Sequence, residues 1–207
     1  MSLVGGLHAR LVFGRRIRVL AGHIAPLLPR GATVLDVGCG DGLLGRTIRD
    51  QRPDLSLTGI DVLVRPRTHI PVQEFDGRTV PLGNQAVDVI LLVDVLHHAD
   101  DPMRLLTEAA RVARHSIIIK DHMQAGWLDR QVLRVMDWTG NAAHGVALPY
   151  NYWSAQEWTL ALQRIGAAID TWNTELGLYP WPASLVFDRT LHFVARVGAG
   201  AALRRAF

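Results

Sequence analysis

Short apolar runs alternate with helical repeats along most of this chain. The runs predict strands at residues 33–37, 55–60, about 70–75, 87–93 and 116–120. A well-marked helical pattern lies between the last two runs; Pro102 suits its first turn, and Asp100 or Asp101 can cap it. Strands that alternate with helices are typical of an α/β fold, in which helices cover both faces of a doubly wound, mostly parallel sheet.

The N-terminal segment also has helical spacing. Residues 1–30 form a predicted N-terminal helical region, in which apolar positions recur from Phe13 onward and Pro26 disturbs the helix. We expect this region to pack on the edge of the sheet or to cap a ligand cleft. A basic helix on a membrane surface is the alternative.

The remainder of the chain predicts two more helices and two more strands. The helices lie at about 127–138 and 154–165. Ser154 can cap the second helix, with Glu157 as its capping-box partner. Apolar runs predict the strands near 167–174 and 190–197. The length and the lack of an internal repeat predict a single domain over residues 1–207.

The most informative segment covers residues 34–45 and has the sequence VLDVGCGDGLLG. An apolar run leads into three glycines at alternate positions, Gly38, Gly40 and Gly42. Glycine adopts backbone angles closed to other residues and lets a ligand approach the main chain. A second strand ends in Asp61 about 20 residues later, where an acid can accept hydrogen bonds from both ribose hydroxyls. Together these features predict a nucleoside site.

In four successive blocks the sequence resembles the class I S-adenosylmethionine-dependent methyltransferases, particularly the small-molecule group known as type 11. The blocks are LDVGCGDG at 35–42, GID at 59–61, FDGRTVPL at 75–82 and VDVILLVDVLHHADDP at 87–102. One departure is the direct run VARHSIIIKDH, where the family has a Lys-Pro-Gly-Gly turn before its fifth strand. The resemblance implies a Rossmann-like, seven-stranded sheet with an antiparallel last strand in a closing hairpin, and S-adenosyl-L-methionine as the cofactor.

The resemblance also implies which residues contact the cofactor. The glycines of the turn would contact its amino-acid and ribose parts, with Asp36 orienting the turn. Asp61 would hold the ribose hydroxyls, Asp76 would accept a hydrogen bond from the adenine amino group, and Asp94 would border the methionine end. The full implied set is Asp36, Gly38, Cys39, Gly40, Asp41, Gly42, Asp61, Val62, Phe75, Asp76, Gly77, Val93, Asp94, Val95 and Leu96.

Several of these residues also have a purely structural interpretation. Asp36 and Asp41 could satisfy the amides of the turn, and Asp76 with Gly77 could form a plain turn. We interpret Cys39 as a small packing residue, because the nucleophile in sulfonium chemistry belongs to the substrate.

A general base is needed only if the acceptor must lose a proton. Our catalytic candidates are His98, His122 and His144, and the first two would also contact the substrate. His97 and Asp121 are further candidates for this base. We favour a structural role for His97 and His98, since the resembling family keeps histidines there that shape the cleft. The spacing matches no compact metal motif, so we expect no metal.

All six Trp and all three Tyr fall between Trp127 and Trp181. Residues 122–153 contain many of them, and we expect this insert to act as a substrate lid. Its aromatic side chains could form the wall around an apolar or planar acceptor, with Asn151 orienting that acceptor, or they could simply pack in the core. The aromatic residues concerned are Trp127, Trp138, Tyr150, Tyr152 and Trp153.

Composition narrows the choice of partners. The net charge is +3 and the basic residues are scattered, so we expect a small-molecule methyl acceptor rather than a nucleic acid. The longest apolar run, VILLV at 89–93, is too short for stable membrane insertion. A single cysteine fits a reducing compartment, and the cytoplasm is the default location. The sequence predicts no particular oligomeric state.

The leading hypothesis is methyl transfer to an oxygen, nitrogen or carbon atom of a small molecule. An NAD(P)-dependent oxidoreductase is one alternative, because the turn and Asp61 overlap its fingerprint, although Leu43 stands where the third glycine belongs. A non-catalytic protein that binds a nucleoside cofactor is the other. An antiparallel seventh strand between parallel neighbours would favour the methyltransferase.

Overall fold

The computed structural model of this chain describes residues 3–141, 150–188 and 190–199, and it describes the side chains of these residues except at 3–12 and 137–141. The strands are β1 (Thr33–Val37), β2 (Ser56–Asp61), β3 (Val72–Glu74), β4 (Val87–Val93), β5 (Ala113–His122), β6 (Ile169–Asn173) and β7 (His192–Gly198). They form one sheet in the order β3-β2-β1-β4-β5-β7-β6.

The direction of the strands distinguishes the hypotheses drawn from the sequence. Neighbours from β3 to β5 are parallel. β7 is antiparallel to both β5 and β6, so it lies between two strands that run in the opposite direction. The predicted seven-stranded sheet with an antiparallel last strand is confirmed, and this topology favours a methyltransferase over a nicotinamide enzyme.

The helices of the described residues are α1 (Leu3–Ile24), α2 (Leu43–Gln51), α3 (Pro102–Val112), α4 (Trp127–Asn141), α5 (Ala155–Arg164) and α6 (Ser184–Phe187). A 3₁₀ turn containing Pro26 follows α1, as the sequence predicted. Asp101 caps α3 through the amide of Arg104, and Ser154 and Glu157 form a complete capping box at α5. Within the described part of the chain, no helix has the length and apolar character needed to cross a membrane.

The sheet is buried on both faces. On one face Ile90 and Ile117 pack with residues of α3 and α5. On the other face Leu91 and Ile118 pack with residues of α1 and α2. A strand covered on both faces has no solvent side, which explains why β4 is continuously apolar from Val89 to Val93.

β5 is longer than the sequence predicted. The expected strand covered 116–120, but α3 ends at Val112 and β5 begins at Ala113 with no turn between them. The strand then pairs with β7 as far as His122, which lies opposite His192. His122 is therefore the last residue of a central strand and not the first residue of a loop insert.

Candidate functional site

A cavity of about 980 Å³ lies where the parallel strands end. Open α/β sheets bind ligands at the carboxyl ends of their strands, and the residues after β1, β2, β3 and β4 all contribute to this wall. α1 closes one side with Phe13, Arg16, Ile17 and Leu20. The N-terminal region therefore caps the cleft, which was one of the two placements expected for it.

The glycine-rich turn meets the cavity at Gly38 and Gly40. Both residues have positive φ angles, 71° and 60°, which disfavour a side chain. A Cβ at Gly38 would lie 2.4 Å from the side chain of Val95, whereas Gly40 faces open space. A ligand can therefore approach the main chain at Gly40.

Gly42 has a different position from the one the sequence suggested. It precedes α2, and a Cβ there would lie 2.4 Å from Ile70. Leu96 is likewise buried in the core, with 1% of its surface exposed. Neither residue belongs to the cavity wall formed by the described residues, because packing against neighbouring side chains occupies both positions.

Asp61 joins the end of β2 to the turn. Its Oδ2 accepts a hydrogen bond from the amide of Gly40 at 2.7 Å, and its Oδ1 accepts one from the amide of Leu63 at 2.9 Å. A carboxylate oxygen has more than one lone pair, so both oxygens can accept further donors. The geometry leaves Asp61 suited to hold the two ribose hydroxyls.

Asp36 is buried behind this turn, in the wall of the same cavity. Burial raises the pKa of Asp36 to about 7, and the negative charge of Asp61 adds to the effect. Burial also raises the pKa of the Cys39 thiol, with Asp36 and Asp61 acting in the same direction. Cys39 packs against Gly59 and remains a thiol, which agrees with a packing role.

The residues expected near adenine lie together in the wall. Phe75, Asp76, Gly77 and Val62 all line the cavity. Oδ1 of Asp76 accepts hydrogen bonds from the amides of Arg78 and Thr79 at 2.8 and 2.7 Å. Asp41 makes a similar contact with the amide of Leu43 at 3.0 Å. Asp41 and Asp76 therefore accept hydrogen bonds from amides of their own turns, as the structural interpretation expected. Both residues also line the cavity.

Asp94 lies at the opposite end of the cavity, immediately after β4, beside Val93 and Val95. Its φ angle is 55°. The carboxylate pairs with Arg16 of α1 at 2.5 Å and with Lys120 of β5. Burial alone would raise the pKa of Asp94, but these two cations hold it well below its usual value. Asp94 is thus an anion held between two cations.

Lys120 is the only lysine of the sequence and is fully buried. Burial lowers its pKa, and Asp94 acts in the opposite direction. Its Nζ lies 3.5 Å from Nδ1 of His192, and Nδ1 of His192 lies 3.0 Å from Nδ1 of His122. Burial, followed by the charge of Lys120, keeps the pKa of both histidines well below the usual value. Both rings are neutral at physiological pH.

His97 and His98 form a 3₁₀ turn after β4, and both line the cavity. Nδ1 of His97 lies 2.6 Å from Oδ1 of Asp121 on β5. The ring centroids of His97 and His98 are 4.0 Å apart, and those of His97 and His122 are 4.4 Å apart. His97, His98 and His122 therefore meet at one end of the cavity, the end where the methionine part of the cofactor is expected.

A metal ion is a possible occupant of this cluster on geometry alone. One donor atom from each of Asp94, His97 and His122 lies within 4.8 Å of the others. However, Arg16 and Lys120 already neutralise Asp94, and a divalent cation would be repelled by both. The expectation that no metal is used stays a prediction.

The aromatic part of the insert packs against the protein interior. Nδ2 of Asn151 donates to the carbonyl of Ala99 at 2.8 Å, Tyr152 is buried, and Trp153 packs on Trp158. Tyr150 lies under the guanidinium of Arg134 at 4.9 Å. None of residues 150–153 belongs to the cavity wall formed by the described residues. Their contact with substrate stays a prediction. In the described structure they hold the insert against His97 and the end of β5, through the amide of Asn151 and the bridge between Met123 and Trp153.

The remaining candidates of the insert are Trp127, Trp138 and His144. Trp127 is 75% exposed, on the outer surface of α4. His144 lies outside the described residues, as does the side chain of Trp138. From this part of the chain, Met136 of α4 reaches the cavity wall.

Sequence reasoning missed Arg16, Lys120 and His192. Arg16 lies on the amphipathic helix but has no local motif to mark it. Lys120 had a detectable signal, because a lone lysine at the end of the run SIIIK is unusual in a chain whose other basic residues are arginines. His192 carried no such signal in the sequence.

The family model and the two curated relatives described next are all methyltransferases. A family model described as a methyltransferase domain matches residues 10–171. A ubiquinone biosynthesis O-methyltransferase of Histophilus somni is 34% identical over 89 residues, which are 35% of this chain and 37% of that protein. A ribosomal RNA small subunit methyltransferase G of Salinispora tropica is 41% identical over 64 residues, which are 31% of this chain and 26% of that protein.

The chain spans less than two fifths of the length of the curated relatives it matches. Among solved structures, the PH0226 protein from Pyrococcus horikoshii OT3 aligns with a TM-score of 0.66 and 13% identity, over 90% of each chain. At this identity the likeness concerns the fold alone.

Proposed function

Because the chain belongs to the methyltransferase family, we propose that it transfers the methyl group of S-adenosyl-L-methionine to an oxygen, nitrogen or carbon atom of a small molecule bound in the cavity. The family assignment replaces the nicotinamide and non-catalytic hypotheses. The observation that carries the small-molecule proposal is the cavity of about 980 Å³. This volume is at the upper end of the range for small-molecule sites, roughly 300–1,000 Å³, so it can hold a cofactor with a small acceptor beside it.

The chain's own residues fit the cofactor from one end of the cavity to the other. In this proposal Asp61 accepts the ribose hydroxyls and the open main chain at Gly40 lies along the amino-acid part. Phe75 and Asp76 border the adenine. Arg16 and Asp94 lie at the methionine end, where a guanidinium and a carboxylate suit the α-carboxylate and α-ammonium groups of an amino acid.

The remaining wall indicates the character of the acceptor. Phe13, Ile17, Met136 and Tyr179 present apolar and aromatic surface near the cluster of histidines. The cofactor's sulfonium makes the methyl carbon electrophilic, so the protein has mainly to hold the acceptor in line and exclude water. We therefore propose an acceptor that is partly apolar and carries one reactive polar atom.

Methyl transfer from tritium-labelled S-adenosyl-L-methionine tests this proposal. Bacterial extract is separated by dialysis into a small-molecule fraction and a macromolecular fraction containing protein and RNA, and each is incubated with the enzyme. We expect a labelled methylated product, distinct from the cofactor itself, in the small-molecule fraction. Label incorporated into RNA or protein alone would contradict the proposal. Arg18→Ala serves as the control for Arg16→Ala, which we expect to lower the affinity for the cofactor.

A further inference from the structure

The acidic residues of this chain are unevenly placed, although its basic residues are scattered. Residues 1–35 contain five arginines and no Asp or Glu, while residues 36–207 hold all 19 acids and only 17 of the 22 basic residues. Four of the five arginines belong to α1. A difference in charge between segments of one chain indicates a partner of opposite charge, such as a nucleic acid or a membrane.

α1 has an inner face that closes the cavity and an outer face that is exposed. Arg16 turns inward and pairs with Asp94, and Leu20 packs in the core. Arg18 is exposed, and Phe13, which also lines the cavity, is 52% exposed. The helix can therefore cap the cavity and present positive charge to a partner at the same time.

An uncharged segment of the chain lies beside α1. Nη2 of Arg15 donates to the carbonyl of Gly177 at 3.0 Å, and Nε2 of His23 lies 2.9 Å from the carbonyl oxygen of Leu176. These contacts hold the start of segment 176–187, LGLYPWPASLVF, which connects β6 with β7. Leu176 packs in the same part of the core as α1, so segment and helix share one face of the sheet.

The middle of this segment exposes large apolar side chains. Trp181 is 79% exposed and Leu185 is 65% exposed. The amide of Ser184 donates to the carbonyl of Pro180 at 3.0 Å, which winds the stretch into a helical turn. Trp181 and Leu185, four positions apart, therefore lie side by side. Tyr179 of the same segment lines the cavity, so the exposed apolar side chains belong to a segment that also borders the cavity.

Two acids flank the segment. Both carboxylate oxygens of Asp188 accept hydrogen bonds at 3.1 Å, from the amides of Leu178 and Tyr179, so this acid holds the segment in its fold. Glu175 is exposed. Its charge opposes an anionic partner and provides a test of that partner's sign.

We propose that α1 and segment 176–187 form a docking surface for a bilayer that contains anionic lipids. Arginines of α1 lie against the lipid phosphates, and Trp181 and Leu185 enter the boundary between head groups and acyl chains. A nucleic acid would offer phosphates but no apolar layer for Leu185. A second copy of the chain would offer an apolar surface but bring the same arginines with it.

Sedimentation of the full chain with vesicles tests the charge. We expect it to sediment with vesicles of phosphatidylcholine and phosphatidylglycerol, and to stay in solution with phosphatidylcholine alone. Arg18→Gln should weaken binding to the anionic vesicles about fivefold, and Glu175→Gln should strengthen it. Arg114 is exposed where β5 begins, at the edge of the sheet opposite the cavity, so Arg114→Gln should leave binding unchanged.

The apolar part of the surface is tested with two matched leucines. Leu185→Ser should weaken vesicle binding about tenfold or more. Leu160 of α5 is 53% exposed on the other face of the sheet, and Leu160→Ser should have no effect. Brominated lipid should quench the fluorescence of Trp181, and Trp181→Phe should remove this quenching while binding persists. Circular dichroism checks that each variant is folded.

Four outcomes would overturn this inference. They are equal binding to both kinds of vesicle, binding to neither, equal losses in Leu185→Ser and Leu160→Ser, and quenching that Trp181→Phe leaves intact. A dimer in light scattering that Leu185→Ser dissociates would also contradict it, because a second copy would then cover the segment. The vesicle experiments contain no cofactor, so their result is independent of the proposed methyl transfer.

Discussion

At the scale of single residues, Asp36 makes stability depend on pH in a direction that is unusual for an acid. Its pKa rises from 3.8 to about 7 on folding, through burial first and then the charge of Asp61. The folded state therefore binds the proton more tightly than the unfolded state. This contribution to stability is complete below pH 3.8 and is lost as the pH rises to about 7, at about 1.4 kcal/mol per pH unit.

Asp36→Asn removes this dependence, because the amide is neutral at every pH. Relative to the wild type, its free energy of unfolding should increase by about 2–3 kcal/mol between pH 5 and pH 8. Urea unfolding of both proteins at both pH values measures this difference. The lowered pKa values of His122 and His192 change the stability with pH in the opposite direction, but this change is the same in both proteins and therefore cancels. A difference that stays constant with pH would contradict the raised pKa.

Lys120 provides a second prediction at this scale. Lys120→Met keeps the apolar stem but leaves Asp94 with one cation fewer, so we expect unfolding free energy to fall by about 3 kcal/mol. Arg46→Met, in the exposed pair with Asp50, should cost under about 1 kcal/mol. In the Lys120→Met background, Asp94→Asn should cost much less than it does alone, since interacting sites are not additive. If the losses of unfolding free energy in the two single variants add up in the double variant, as measured by urea unfolding, the interaction between Lys120 and Asp94 is disproved.

The motif residues of the proposed cofactor site were predictable from the sequence, while the ion pairs and contacts that join distant residues were not. Gly38, Gly40 and Asp61 lie in short motifs whose residues are already ordered along a strand and a turn. In contrast, Arg16 is separated from Asp94 by 78 positions and Lys120 from His192 by 72. Nothing local requires these pairs, so only the folded sheet reveals them.

At the scale of elements, the helix caps are the clearest agreement between sequence and structure. The capping box of α5 links Ser154 and Glu157 in both directions, and we expect Ser154→Ala to lower the free energy of unfolding by about 1 kcal/mol. Thr159→Ala, later in the same helix, removes only a hydroxyl bonded to the carbonyl of Ala155 and is the control. Urea unfolding of both variants measures the difference; equal costs would show that the cap does not stabilise the helix.

The extent of β5 shows where element prediction fails. The predicted strand begins only at Ser116, because Arg114 and His115 are polar and exposed. The strand nevertheless starts at Ala113, which pairs with Val87 of β4. Partner strands determine such ends through backbone hydrogen bonds, and a pattern of side chains carries no record of them.

At the scale of the whole molecule, the alternation of apolar runs and helices was sufficient to predict a doubly wound sheet, since each strand must be covered on both faces. The sheet in turn determines where the site forms. β1, β2 and β4 bring the residues proposed to hold the cofactor to one edge, and α1 closes that edge with Arg16. Binding of the cofactor should therefore stabilise the sheet and α1 together.

This coupling predicts a shift in Tm. S-adenosylhomocysteine at 100 times its Kd should stabilise the folded chain by about 2.7 kcal/mol, which is a rise in Tm of about 5–11 °C for a domain of this size. Asp61→Ala loses hydrogen bonds to a charged group, worth about 1–3 kcal/mol, so at the same ligand concentration its rise should be only about one tenth to two thirds as large. Asp50→Asn, on the surface of α2, should show the full rise.

Differential scanning fluorimetry with NADH in parallel completes this test. The family assignment predicts no rise in Tm with NADH. A full rise in Asp61→Ala would place the ribose elsewhere, because the carboxylate that bridges Gly40 and Leu63 would then have no part in binding. A rise with NADH and none with S-adenosylhomocysteine would mean that the Gly40 turn selects a dinucleotide, contrary to what the antiparallel β7 indicates.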